Sequence, residues 1–240
     1  MKRLTILSTS LFLLLGFFIT QSRANSNRAL EDEVETAISG INDGNFHITA
    51  DNKGHVDIQG TVNRLYEKYM IFQNASHVSG VKNISLLVNV DTPFVPDNII
   101  VNNIRQTMSY VSGILEPDNI TINADNGQVF LNGTVSFNRE KLLMQTLTSW
   151  QEGVRAIVNN LKVLPSQKAE SDQNLTMVLD QIMKYEFPME KKADFKIKDG
   201  QVTLNGTVTT LWAKNNLAEK FSDVTGVANV QNNLKVKPIV

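Results

Sequence analysis

Three stretches of the chain share one hydrophobic pattern. Apolar residues alternate with polar ones at Val56, Ile58 and Val62, at Val129, Leu131 and Val135, and at Val202, Leu204 and Val208. A period of two with a single apolar face marks a half-buried strand. Each stretch carries a glycine on that apolar face, and Gly60, Gly133 and Gly206 stand 73 residues apart. A glycine inside a strand signals a bulge or an element packed too close for a side chain. Its recurrence at one register makes it a packing requirement. Ahead of each stretch runs a second alternating segment, led by Phe46 and Ile48, by Ile120 and Ile122, or by Phe195 and Ile197. The links, from Asp51 to Gly54, Asp125 to Gly127 and Asp199 to Gly200, have the composition of hairpin turns, the first one residue longer.

The spacing then turns helical. Ile71, Ala75 and Val78 lie on one stripe, as do Met144, Leu147 and Thr148, and Leu217, Phe221 and Val224. These predict amphipathic helices packed on a sheet. Glycine is favoured just past a helix end, so Gly80, Gly153 and Gly226, each followed by valine, terminate the three helices. A last strand follows each, running to Val90, Val163 and Val236. Another helix precedes each hairpin. Its stripe is Leu30, Val34, Ala37, Ile38 and Ile41 in the first copy, and Ile100, Ile104, Met108 and Val111 in the second, with Asp97 as the cap. In the third it is Leu175, Val178, Leu179, Ile182 and Met183, capped by Ser171 or Asp172. The predicted class is α+β: three tandem αββαβ domains, each a small three-stranded mixed sheet packed by two helices. A period of 73 exceeds a solenoid repeat of roughly 20–50 residues and suits small domains. The boundaries fall at 25–91, 92–164 and 165–240. The connections hold Pro93, Pro96 and Pro165 and read as semi-rigid hinges.

Residues 1–24 read differently. Lys2 and Arg3 precede an apolar run from Leu11 to Ile19, and Ser22, Arg23 and Ala24 follow. This is the layout of a cleavable signal peptide, with cleavage after Ala24. The run is shorter than the roughly 20 residues that span a bilayer, so the expectation is a soluble protein exported to the periplasm. Cysteine is absent, which excludes disulfides, thiolate chemistry, Cys-ligated zinc and a lipid-modified cysteine at the cleavage point. Beyond residue 24 the chain carries 20 basic and 24 acidic residues, which does not suit a nucleic-acid binder. Residues 164–240 hold 10 of those 20 basic residues.

A strand with Gly-x-Val-x-Leu-x-Gly-x-Val, a helix, and then Gly-Val-x-x-Val-x-Asn-x-Leu resembles the BON-domain family. Residues 200–208 with 226–234 fit best, and residues 127–135 with 153–161 nearly as well. The first unit departs from the pattern, having Leu86 and Leu87 where Asn159–Asn160 and Asn232–Asn233 stand. The tandem arrangement is similar to the OsmY-like periplasmic members of that family. The resemblance implies a non-enzymatic role at the cell envelope, in osmotic or envelope stress, contact with phospholipid, or chaperone-like help to envelope proteins.

Little catalytic chemistry stands out. His47, His55 and His77 all fall in the first unit, without metal-ligand spacing. The run Glu31, Asp32, Glu33 and Glu35 suits the first turn of a helix. Phosphate-loop and nucleophile-elbow motifs are missing, so no enzyme, cofactor or metal is expected. Asn132 and Asn205 read as hydrogen-bonding residues at a strand edge or helix entry, and Trp150 and Trp212 as packing residues at helix ends. The best binding candidate is Lys184, Lys191, Lys192, Lys196 and Lys198. Lys196 and Lys198 point away from Phe195 and Ile197, and Lys184 lies near Tyr185, Phe187 and Met189. Lysines beside apolar residues can dock on anionic phospholipid as a peripheral membrane contact. The interleaved Glu186, Glu190, Asp194 and Asp199 weaken that field and leave a solvated face as the alternative. The rival reading is structural: free sheet edges pair between chains and build an oligomer or an adaptor in an envelope or secretion assembly.

Overall fold

A computed structural model describes residues 27–42, 45–164 and 171–237. The expected signal peptide lies outside the described residues. In the first unit, helix α1 covers 27–38, followed by β1 (His47–Ala50), β2 (His55–Val62), α2 (Leu65–His77) and β3 (Asn83–Val90). The second unit runs α3 (Asp97–Ser109), a 3-10 turn (Pro117–Asn119), β4 (Ile120–Asp125), β5 (Gln128–Val135), α4 (Asn138–Ser149), β6 (Ala156–Asn159) and β7 (Lys162–Val163). The third runs α5 (Asp172–Glu186), β8 (Ala193–Lys198), β9 (Gln201–Val208), α6 (Leu211–Ser222), β10 (Asn229–Asn232) and β11 (Lys235–Val236).

The three sheets share one plan, but only the first has the expected three strands; in the second and third the last strand is split in two, which makes four. The middle strand pairs antiparallel with its hairpin partner and parallel with the last strand. A short loop can join only antiparallel neighbours, whereas the parallel neighbour needs a crossover, which the helix supplies. Ile48 faces Ile58, Ile122 faces Leu131, and Phe195 faces Leu204. The registers are therefore equivalent. The hairpin of the first unit is one residue longer, as its sequence suggests: five residues separate the paired Ala50 and Val56, against four between Ala124 and Val129 and between Ile197 and Val202. The alternating positions Val56, Ile58 and Val62, Val129, Leu131 and Val135, and Val202, Leu204 and Val208 are all buried.

At Gly133 and Gly206 the backbone is left-handed, with φ of 119° and 99°, and a Cβ would overlap the carbonyl oxygens of Asn119 and Lys192. At Gly60 it would meet the Phe46 ring. Helices α2, α4 and α6 stop at His77, Ser149 and Ser222, short of Gly80, Gly153 and Gly226. These glycines shape the turn beyond each helix.

The units close on one another in a ring. The start of α2 meets the end of α4: Tyr66 and Trp150 are 5.3 Å apart, edge to face, and Arg64 reaches the Trp150 carbonyl and Glu152. The start of α6 meets the end of α2, where Trp212 stacks on His77 at 4.6 Å. The start of α4 meets the end of α6, where the Asn138 amide donates to Ser222 Oγ at 3.2 Å. Tyr66, Arg139 and Trp212 are repeat-equivalent, as are His77, Trp150 and Asp223. One head-to-tail contact is thus used three times. Between the first two units the connection is pinned, since the buried Thr92 accepts the Gly153 N–H at 3.0 Å.

Candidate functional site

The five lysines of the third unit are all exposed, but they do not lie in one plane. In β8 the residues Ala193, Phe195 and Ile197 turn toward the core, where Phe195 meets Phe221 edge-on at 5.3 Å. Strand alternation then sends Lys196 and Lys198 out on the open face of the sheet. Lys184 comes from the last turn of α5, in the helix layer, and its ammonium lies 5.2 Å from the Tyr185 ring centroid. Lys191 and Lys192 sit in the connection between the two layers. The lysines therefore wrap around the β8 edge as a corner. Tyr185 and Met189 stand beside them, 71% and 66% exposed.

Phe187 is not part of this corner. It is buried in the third core, 5.8 Å from Trp212. The interleaved acids divide. Glu190 is buried and accepts from both the backbone and the hydroxyl of Thr209, at 2.8 and 2.6 Å. Glu186 pairs with Lys220 at 2.9 Å, and that pairing holds the Lys220 ammonium above its ordinary value. Asp194 and Asp199 remain exposed. Two of the four acids that blunt the lysine field in the sequence thus have other partners in the fold.

The other candidates have structural partners. Asn132 and Asn205 accept from the Asn160 and Asn233 side chains across neighbouring strands, at 3.1 and 3.4 Å. Glu31 accepts the Ala50 N–H at 2.8 Å, fastening α1 to β1. His55 Nε2 lies 3.1 Å from Asp57 Oδ1 and 3.0 Å from Ser85 Oγ. A relay through imidazole needs its partners on the two different nitrogens, and here both meet the same one. Among the described residues no group of three or more His, Cys, Asp or Glu is placed to hold a metal ion. No helix of the described residues is long and apolar enough to cross a membrane.

The family model for the BON domain matches residues 96–165 and 171–238, more than half of the chain. The first unit is outside those matches, in keeping with its longer hairpin and its leucines at 86 and 87. No curated protein matches the chain. Several solved structures can be aligned, among them two from type III secretion systems. One is the C-terminal domain of CdsD, described as the structural protein of the type III secretion system of Chlamydia trachomatis. It is 14% identical over 86% of this chain and 96% of that one, with a TM-score of 0.24. The other is the periplasmic domain of the type III secretion inner-membrane protein PrgH from S. typhimurium. It is 13% identical over 80% and 99%, with a TM-score of 0.20. Overlap this low carries no argument about fold or role.

Proposed function

The chain belongs to the BON-domain family, and from that premise we propose that it is a non-enzymatic, OsmY-like factor of the bacterial envelope, active in the periplasm after loss of residues 1–24. On this reading all three units are BON domains, and the third makes peripheral contact with anionic phospholipid. The observation that supports the site is the lysine corner: five exposed ammonium groups beside exposed Tyr185 and Met189, with Glu186 and Glu190 engaged elsewhere. Lysines near an anionic surface contribute on the order of 1 kcal/mol each. An amphipathic ring and a thioether can enter the headgroup layer alongside them. Replacing Lys191, Lys192, Lys196 and Lys198 together by Glu is expected to weaken binding to anionic vesicles by at least about a hundredfold. Unchanged binding would refute this site. Circular dichroism of the variant checks that the fold survives.

A second reading, assembly through sheet edges, draws on β4. Among the described residues this strand pairs on one side only, and it carries no lysine where β8 carries two. Exposed lysines on an edge strand discourage pairing between chains. A stable large oligomer in sedimentation would favour this second reading.

A further inference from the structure

The three junctions of the ring use the same positions with different chemistry. Between the first and second units, Leu65 is buried in the second core, and Val90 packs against both cores. Between the third and first units, Leu211 is buried in the first core, and Val236 packs against both. The equivalents between the second and third units are Asn138 and Val163. Here the leucine plug is an amide, Arg139 and Asp223 stand where the other junctions have paired rings, and Val163 is 42% exposed. Val81 and Val154 are fully buried, yet their equivalent Val227 is only partly so.

A cleft of about 330 Å³ lies at this junction, lined among others by Glu116, Phe137, Asn138, Val163, Asp223 and Val227. Asp223 Oδ1 is enclosed there with no hydrogen-bond partner among the described residues. Burial stabilises apolar contacts in proportion to the area removed from water. Half-exposed polar pairs contribute little, and an enclosed carboxylate oxygen without a donor is a cost. The junction between the second and third units is therefore the weakest of the three.

We propose that the ring works as a clasp: the second and third units part at the Asn138–Ser222 junction, pivoting on the plugged contacts that each keeps with the first. The first unit is the hub. The connection through the buried Thr92 ties it to the second unit, and Leu211, Trp212 and Val236 hold it to the third without any covalent link. Parting widens the cleft and uncovers Val163 and Val227. Its reach is limited by the covalent segment between Leu164 and Ser171.

The absence of cysteine allows clean spin labelling. Thr49, Asn123 and Lys196 are exposed, repeat-equivalent positions on the outer strands of the three sheets. With pairs of these changed to Cys, double electron–electron resonance is expected to give narrow distances for 49/123 and 49/196. For 123/196 it should give a broader distribution with a longer component. Adding Asn138→Leu with Arg139→Tyr supplies the missing plug and should remove that longer component. A 123/196 distribution no broader than the other two would overturn the proposal. So would a longer component that a folded plug variant leaves intact.

Discussion

The carboxylates of Asp97 and Asp172 each accept two backbone N–H groups from a hairpin turn. Asp97 serves Asn126 and Gly127, both at 2.9 Å, and Asp172 serves Asp199 and Gly200, at 2.8 and 3.0 Å. Both residues begin a helix, so one side chain ties helix to hairpin while facing the positive helix end. From sequence they look like caps of their own helices. Ser171 does cap α5, accepting from Asn174, but the partners of the aspartates lie nearly thirty residues away, beyond any local pattern. Asp97→Ala leaves two turn donors without their acceptor and should destabilise the second unit by about 1–3 kcal/mol in chemical denaturation. A change within about 0.5 kcal/mol would mark Asp97 as an ordinary surface residue. Glu219 and Asp223 predict a pH effect. Burial raises both carboxyls above their ordinary values of 4.5 and 3.8, and for Glu219 the Asp223 charge adds to it. Arg139 and Asn138 oppose the rise at Asp223, and Lys220 opposes it at both. The fold therefore holds these protons more tightly than the unfolded chain. Their contribution to stability is full below the ordinary values and is lost as the pH rises through the raised ones. The melting temperature of Asp223→Asn relative to the parent should improve between pH 4 and pH 7. A constant difference across that range would contradict the assignment.

At the scale of elements, the last strand is where the first unit departs from the others. In the second and third units an asparagine breaks it. Asn159 and Asn232 donate to the Lys141 and Lys214 carbonyls on the helices and accept the Leu161 and Leu234 N–H groups. In the first unit Leu86 and Leu87 stand there, and β3 runs unbroken along the whole of β2. The alternating strands were legible because a strand's burial repeats every two residues within the segment itself. The asparagine break was visible only as a difference between copies, because the helix carbonyl it bonds is fixed by tertiary packing. Asn232→Ala strands one donor and one acceptor and should cost about 1–3 kcal/mol in the third unit. Leu87→Ala, at a site 63% exposed, should fall within about 0.5 kcal/mol. Equal effects would contradict the clamp.

For the whole molecule, the repeat pointed to three units but not to their closure. Leu65 and Leu211 look like ordinary helix starts, and nothing in one unit's periodicity says that this position faces another unit. The structure puts Leu211 of the third unit into the core of the first. Leu211→Ala should therefore cost about 2–5 kcal/mol, and part of the loss should appear as faster hydrogen exchange in β2, in a different unit. Loss confined to the third unit would mean that the units are independent. The lysine corner, too, was only partly legible. Residue types and alternation placed the lysines outside, but the diversion of Glu186 and Glu190 depends on Lys220 and Thr209, which come from later elements. The most direct test of the proposed role is co-sedimentation of residues 25–240 with anionic and with neutral vesicles across a salt series. The account predicts binding to anionic vesicles alone, weakening steadily as salt screens the lysines. Binding that ignores lipid charge and salt, or no binding to either vesicle, would contradict it.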